Sequence, residues 1–124
     1  LTELTTEFAA HTGLTVRRRF DPGLDGLDPD IELVLYRVAQ ESLTNVARHA
    51  HATQVEVALS RTPTAVSLRI RDDGVGIDGS REGAGLRGIR ERALLVGAGL
   101  AIGPAPGGGT EVFLSVPVTT KGER

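Results

Sequence analysis

The stretch QESLTNVARHAHA, residues 40–52, decides how this sequence is interpreted, because its pattern is helical but its composition is unusually polar. Neither Gly nor Pro interrupts it. Glu41 and Asn45 lie four positions apart, and Arg48 and His49 follow about one turn later, on the same face of the predicted helix. Asparagine is a poor helix former that a solvated surface does not need. The stretch therefore predicts either a solvated face or a polar site.

A metal-phosphate site is the functional interpretation of this face. An amide oxygen and a carboxylate one helical turn apart suit Mg²⁺, which takes oxygen ligands and retains water while it bridges phosphates. Arg48 and His49 could then contact the phosphates. Solvated helix faces are common, so the stretch alone leaves both interpretations open.

The whole chain of 124 residues fits one globular domain, with a core over about 1–118 and a frayed tail at 119–124. Its 14 basic and 16 acidic residues are interspersed, so no positive stripe indicates nucleic-acid binding. The absence of cysteine excludes disulfides, thiolate catalysis and cysteine-bound zinc. No apolar run approaches the roughly 20 residues that span a bilayer, and no export signal begins the chain. We expect a cytoplasmic domain without membrane contact and, since the first residue is not Met, a fragment of a longer protein.

Hydrophobic periodicity predicts three helices and five strands. The longest helix runs from about residue 30 to 51, and its apolar face comprises Ile31, Leu35, Val38, Ser42, Leu43, Val46 and Ala50. A helix over 2–12, an edge strand over 14–20, a hairpin of 54–60 and 65–71, a helix from 85 to about 96, and a strand pair of 100–106 and 110–118 complete the pattern.

The sequence DDGVGI, residues 72–77, follows a predicted strand directly. Its glycines could serve only a turn with positive φ angles. They could also let the backbone approach a planar ligand, while a preceding carboxylate accepts a hydrogen bond from an exocyclic amine. Asp72 is the better candidate for that role, because strand alternation would direct Asp73 to the opposite side.

Two further glycine motifs follow. GAGLRG, residues 83–88, matches the dinucleotide fingerprint, but it does not follow a buried strand immediately, and this context argues against a dinucleotide-binding fold. Glycines at a helix N-terminus still offer N–H groups to phosphate. GGGTEV, residues 107–112, is either a hairpin turn or a turn from which Thr110 offers its hydroxyl to a ligand.

The order of these motifs resembles the ATP-binding fold of the GHKL superfamily, which includes DNA gyrase, heat-shock chaperone ATPases and sensor histidine kinases. Within it, QESLTNVARHAHAT, DDGVGI and GAGLRGIRER are similar to the catalytic domain of histidine kinases of the nitrate-sensor and membrane-fluidity-sensor type. The resemblance implies the α+β Bergerat architecture. This is a two-layer α/β sandwich whose mixed, largely antiparallel sheet is covered on one face by about three helices.

The resemblance also implies a role for each matching residue. Asn45 would ligate Mg²⁺, with Glu41 orienting metal-bound water, and Arg48 and His49 would lie near the phosphates of ATP. Asp72 would accept a hydrogen bond from the adenine amine. The other implied contacts are backbone room from Gly74 and Gly76, packing of Ile77 on the base, the far end of a short ATP lid at Gly83, Gly85, Leu86 and Gly88, and support of the adenine end by Thr110.

The implied reaction is transfer of the γ-phosphoryl group from MgATP to a histidine on a separate dimerisation domain, and then to an aspartate of a response regulator. None of the histidines here lies in an acceptor-like helix, so we expect the fragment to bind nucleotide without phosphorylating itself. Three alternatives are an anti-sigma-factor-type serine kinase, another GHKL ATPase in which Glu41 activates water, and a scaffold whose ATP site has decayed.

Overall fold

The computed structural model describes residues 1–24, 26–49, 51–74 and 84–118. Within these ranges it contains three helices and five strands. Their bounds are α1 Thr2–Thr12, β1 Thr15–Phe20, α2 Pro29–His49, β2 Gln54–Arg61, β3 Ala65–Asp72, α3 Ala84–Leu95, β4 Gly99–Pro104 and β5 Thr110–Pro117. Every helix and strand predicted from periodicity is present.

The five strands form one mixed sheet in the order β1-β2-β3-β5-β4. Only β1 and β2 pair in parallel, and the other three pairs are antiparallel. The edge position predicted for β1 is therefore confirmed, and so is a largely antiparallel sheet. The register pairs Val55 with Asp72 and Arg71 with Glu111, which brings the end of β3 next to the starts of β2 and β5.

The core lies on one face of this sheet. Alternate residues of β2, β3 and β5 are buried there, and their neighbours along each strand are more exposed. The buried set includes Val55, Val57, Leu59, Val66, Leu68, Ile70, Val112, Leu114 and Val116, and it packs with Val38, Leu43 and Val46 of α2 and Ile89 and Ala93 of α3. On the opposite face, the Arg71 guanidinium lies 3.4 Å from Glu56 and 3.6 Å from Glu111. The two faces are thus apolar and charged, respectively.

The first helix covers the same face as the other two. Arg18 of β1 is in register with the buried Val57 of β2. Its Nη1 donates to Thr6 Oγ1 at 3.1 Å and lies 3.4 Å from the Thr5 hydroxyl of α1. All three helices therefore lie on one side, and the predicted two-layer α+β sandwich is confirmed.

The long helix α2 begins as its sequence predicts. Pro29 occupies the first helical position, where its missing N–H costs no hydrogen bond, and Asp30 and Glu32 place negative charge in the first turn. Val38 and Ala39 are fully buried against the sheet. None of the helices in the described ranges combines the length and apolarity needed to cross a bilayer.

Candidate functional site

A small pocket, with a cavity volume of about 10 Å³, opens where α2, β3 and β5 meet at one end of the sheet. It is lined by Ser42, Asn45 and Val46 of α2, Ile70 and Asp72 of β3, and Thr110 and Val112 of β5. Asn45, Asp72 and Thr110 were each predicted as site residues from separate motifs. The fold brings these three polar side chains to the same pocket.

Asp72 supplies a nearly buried carboxylate to this pocket. It is the last residue of β3 and is 5% exposed. Its Oδ1 accepts a hydrogen bond of 2.8 Å from the backbone N–H of Gly74. In the part of the chain that the structure describes, Oδ2 accepts no hydrogen bond. An acceptor-only group in this position is suited to a ligand that donates a hydrogen bond.

Gly109, in the β4–β5 turn, packs against the backbone of the pocket residue Asp72, and the sequence motifs did not single it out. It is buried, and its φ angle is +89°. A Cβ at this position would clash with the carbonyl oxygen of Asp72 and would lie 2.8 Å from the carbonyl carbon. Only glycine lets the turn approach the Asp72 backbone this closely. The run of three glycines in the sequence was the available signal, but it did not show which of them the packing requires.

Ser42 lines the pocket, although the sequence motifs did not identify it as a site residue. It belongs to the predicted apolar face of the helix and is 2% exposed. Neither its hydroxyl nor that of Thr110 has a hydrogen-bond partner within the described residues. Both hydroxyls line the pocket, so a bound polar ligand or water can supply the missing bonds.

The adjacent carboxylate, Asp73, has a different environment. Its Oδ1 accepts from the backbone N–H groups of Thr53 and Gln54 at 2.8 and 3.0 Å, and its Oδ2 accepts from the Thr53 hydroxyl at 2.6 Å. The Thr53 hydroxyl, followed by the two backbone donors, lowers the pKa of Asp73 from 3.8 to about 2. Asp73 thus joins the start of β2 to the end of β3. It does not line the pocket of Asn45 and Thr110, although it borders a second, more open pocket together with Asp72 and Gly107.

We expect Asp73→Asn to reduce stability in a way that depends on pH. The folded-state pKa lies below the ordinary value, so ionised Asp73 stabilises the fold above about pH 4, and this contribution is lost as pH falls through about 2. The free energy of unfolding, measured with urea at about pH 6 and about pH 2, should differ between parent and variant much more at the higher pH, because Asp73 is no more than about half ionised at the lower one. Glu7→Gln is a control, because Glu7 is exposed in the middle of α1 and no hydrogen bond to its carboxylate is present in the described ranges. An equal deficit of Asp73→Asn at both pH values would contradict the assignment.

Of the remaining predicted site residues, some lie on α2 and α3 and others fall outside the described ranges. Glu41 is half-buried on α2 one turn before Asn45, and Arg48 is exposed near the end of that helix. His49 is the last residue of α2, and Gly85, Leu86 and Gly88 lie in the first turns of α3. Gly76, Ile77 and Gly83 fall outside the residues that the structure describes.

The oxygen atoms that could act as ligands near Asn45 fit a hydrated magnesium ion. Among the described residues, no group of three or more His, Cys, Asp or Glu side chains could hold a metal. Mg²⁺ commonly binds through one or two protein oxygens and completes its octahedron with phosphates and water. The amide of Asn45, with Glu41 four residues earlier, fits that arrangement.

Comparison with known proteins gives concordant matches. Residues 30–120 match the family described as "Histidine kinase-, DNA gyrase B-, and HSP90-like ATPase". The chain is 33% identical over 117 residues to the histidine-protein kinase/phosphatase DegS of Brevibacillus brevis, covering 92% of this chain and 30% of that protein. It is 35% identical over 117 residues to the oxygen sensor histidine kinase NreB of Staphylococcus carnosus (strain TM300), covering 91% and 34%. The chain therefore spans about a third of the length of these curated relatives.

Solved structures share the fold. The histidine kinase domain of the blue-light activated histidine kinase from Erythrobacter litoralis EL346 gives a TM-score of 0.80 at 21% identity, covering 94% of this chain and 58% of that one. The mycobacterial sensor histidine kinase MprB gives 0.73 at 19% identity, covering 96% and 92%. At these identities the likeness extends to the fold alone.

Proposed function

The chain belongs to the family of histidine kinase-, DNA gyrase B- and HSP90-like ATPases, and we propose that it is the ATP-binding catalytic domain of a sensor histidine kinase. In this proposal the chain is one domain with its core over about 1–118. It binds MgATP and transfers the γ-phosphoryl group to a histidine of a separate dimerisation domain, for relay to a response-regulator aspartate. Because ATP is the substrate, the domain works in the cytoplasm.

The observation that carries this proposal is the common pocket of Asn45, Asp72 and Thr110. Asp72 accepts the hydrogen bond of the adenine amine. Asn45 and Glu41 are on the face of α2 that turns toward the phosphates, and Arg48 follows one turn later. When bound, Mg²⁺ would neutralise phosphate charge, and the chain's own residues would orient the nucleotide.

The lid assignment of Gly83, Gly85, Leu86 and Gly88 extends this proposal to the start of α3. Backbone N–H groups of a helix N-terminus carry partial positive charge and favour phosphate. His49 is assigned to the phosphate end, Gly74 and Gly76 to the backbone beside the base, and Ile77 to packing on it. These assignments rest on the sequence motifs and on the family of the chain.

We expect Asn45→Ala to remove the Mg²⁺ dependence of ATP binding while the fold is retained. Asn45 is half-buried, so its truncation leaves the core residues of α2 in place. The test is calorimetric titration of ATP with Mg²⁺ and with a chelator, in parent and variant. A variant that still binds ATP more tightly with Mg²⁺, by the same factor as the parent, would exclude Asn45 as a ligand. Gln40→Ala is a control, because its carboxamide lies outside the pocket lining.

The second candidate function is an anti-sigma-factor-type serine kinase, which would use the same nucleotide pocket. The two differ in the acceptor, and the similarity of the chain to the sensor kinases DegS and NreB over more than 90% of its length favours the histidine. Phosphoryl transfer from labelled ATP to an added histidine-bearing dimerisation domain separates them. The product must be acid-labile for phosphohistidine, whereas phosphoserine survives acid.

A further inference from the structure

The hydroxyls of Ser42 and Thr110 are buried in the pocket and make no hydrogen bond to the described residues. Ser42 is 2% exposed and Thr110 is 4% exposed. Neither oxygen has a hydrogen-bond partner in the described part of the chain. Leaving a buried hydroxyl unpaired destabilises a folded protein. Two such groups in one pocket indicate that something bound there completes their hydrogen bonds.

The contrast with other helical hydroxyls makes Ser42 the more informative of the two. Thr44 of the same helix donates to the Gln40 carbonyl at 2.9 Å, and Thr12 of α1 donates to the Phe8 carbonyl at 2.7 Å. This bond to the preceding turn is the usual one for Ser and Thr inside helices. Ser42 does not make it, so its hydroxyl remains available to the pocket.

The polar atoms around this part of the pocket have a defined donor and acceptor pattern. The Asp72 carboxylate only accepts hydrogen bonds, whereas the hydroxyls of Ser42 and Thr110 can each donate one. Such a set fits an edge on which an amine lies beside an acceptor nitrogen. Adenine carries an exocyclic amine at the position where guanine carries a carbonyl oxygen, which the carboxylate would repel.

We propose that Ser42 is a specificity-determining residue, whose hydroxyl, together with that of Thr110, hydrogen-bonds the purine edge beside Asp72 and favours adenine over guanine. The inference rests on the proposed function, because it requires the base of a nucleotide to enter this pocket. Ser42 lies three residues before Asn45, or about 4.5 Å along the axis of α2. One helix thereby contributes to both ends of the ligand, with Ser42 at the base and Asn45 at the metal.

The test is Ser42→Ala, with ATP and GTP titrated by calorimetry and thermal unfolding followed without nucleotide. We expect the affinity for ATP to fall about three- to tenfold, the amount expected for one neutral hydrogen bond, while the affinity for GTP changes less. The unfolding midpoint without nucleotide should stay the same or rise, because alanine is the better helix former and an unpaired hydroxyl is removed. A residue with only a structural role would not produce this combination.

Thr44→Ala is the matched control, since it removes a hydroxyl from the same helix that does not line the pocket. It should leave the affinity for ATP unchanged. The inference would be overturned, and the proposed function left standing, if the Ser42→Ala variant bound ATP as tightly as the parent. The same holds if the variant lost affinity for ATP and GTP equally. A loss of affinity accompanied by a lower unfolding midpoint would also overturn the inference. A parent protein that binds neither nucleotide would overturn the proposed function and this inference with it.

Discussion

Replacing Gly109 with alanine is expected to destabilise the protein by on the order of 3 kcal/mol and to abolish nucleotide binding. The added Cβ would clash with the carbonyl oxygen of Asp72 and would lie 3.1 Å from Asp72 Oδ1. The residue is also held at φ +89°, which an L side chain rarely adopts. The end of β3 would have to move away from β5, and this movement would displace the proposed adenine-binding carboxylate.

Two other glycines serve as matched controls for Gly109. Gly108 has φ +113° but open space where a Cβ would lie, so Gly108→Ala isolates the backbone strain. Gly103 has neither a positive φ angle nor a close neighbour, so Gly103→Ala should be close to neutral. Urea unfolding should rank the three variants with Gly109→Ala as the least stable. If the Gly109 and Gly108 variants were equally stable, the close approach of Gly109 to Asp72 would contribute nothing to the loss of stability.

Asp72→Asn is expected to weaken ATP binding about 10- to 150-fold, which corresponds to the loss of a charge-assisted hydrogen bond of about 1.5–3 kcal/mol. The amide has the same shape and can still accept from the Gly74 N–H, so the fold should be preserved. It lacks the negative charge that the adenine amine would contact, and its NH₂ group can present a donor to another donor. Calorimetry with ATP measures the effect directly.

The neighbouring Asp73 supplies the control for this prediction. Asp73→Asn makes the same chemical change one residue later, where the carboxylate binds Thr53 and Gln54 instead of lining the pocket. It should lower stability near neutral pH and leave the affinity for ATP within about twofold of the parent, because no ligand hydrogen bond is removed. Asp72→Asn that binds ATP as tightly as the parent would eliminate the adenine assignment.

Local sequence was sufficient to predict the elements of this fold. The apolar face of α2 follows from a 3.6-residue period, and the hairpin of β2 and β3 follows from alternation, since both patterns record which face an element buries. Alternation also predicted that Asp72 and Asp73 face opposite sides, and in the structure Asp72 is buried whereas Asp73 is exposed. Asn45 was identified because its helix propensity is low, and a residue that contradicts its local structure often has a functional role.

The sequence was less informative about contacts between distant segments. Ser42 was assigned to the apolar face of α2, because its position in the helical repeat is that of a core residue. The sequence could not show that its hydroxyl has no hydrogen-bond partner among the described residues. The three glycines of the last turn were indistinguishable until Gly109 was found beside Asp72. The parallel pairing of β1 with β2 was also not predicted, because the alternation of apolar and polar residues in a strand does not indicate which strand it pairs with.

The sequence by itself determined the helices, the strands and the buried face of each. It also indicated the polar residues that are unusual for their helix or strand. All of these features depend on neighbours within one helical turn or one strand. Only the tertiary structure decided that Asn45, Asp72 and Thr110 line one pocket, because that depends on the strand order and on the register of β3 with β5. Register is fixed by the packing of the whole apolar face against α2 and α3, which is a property of the folded chain.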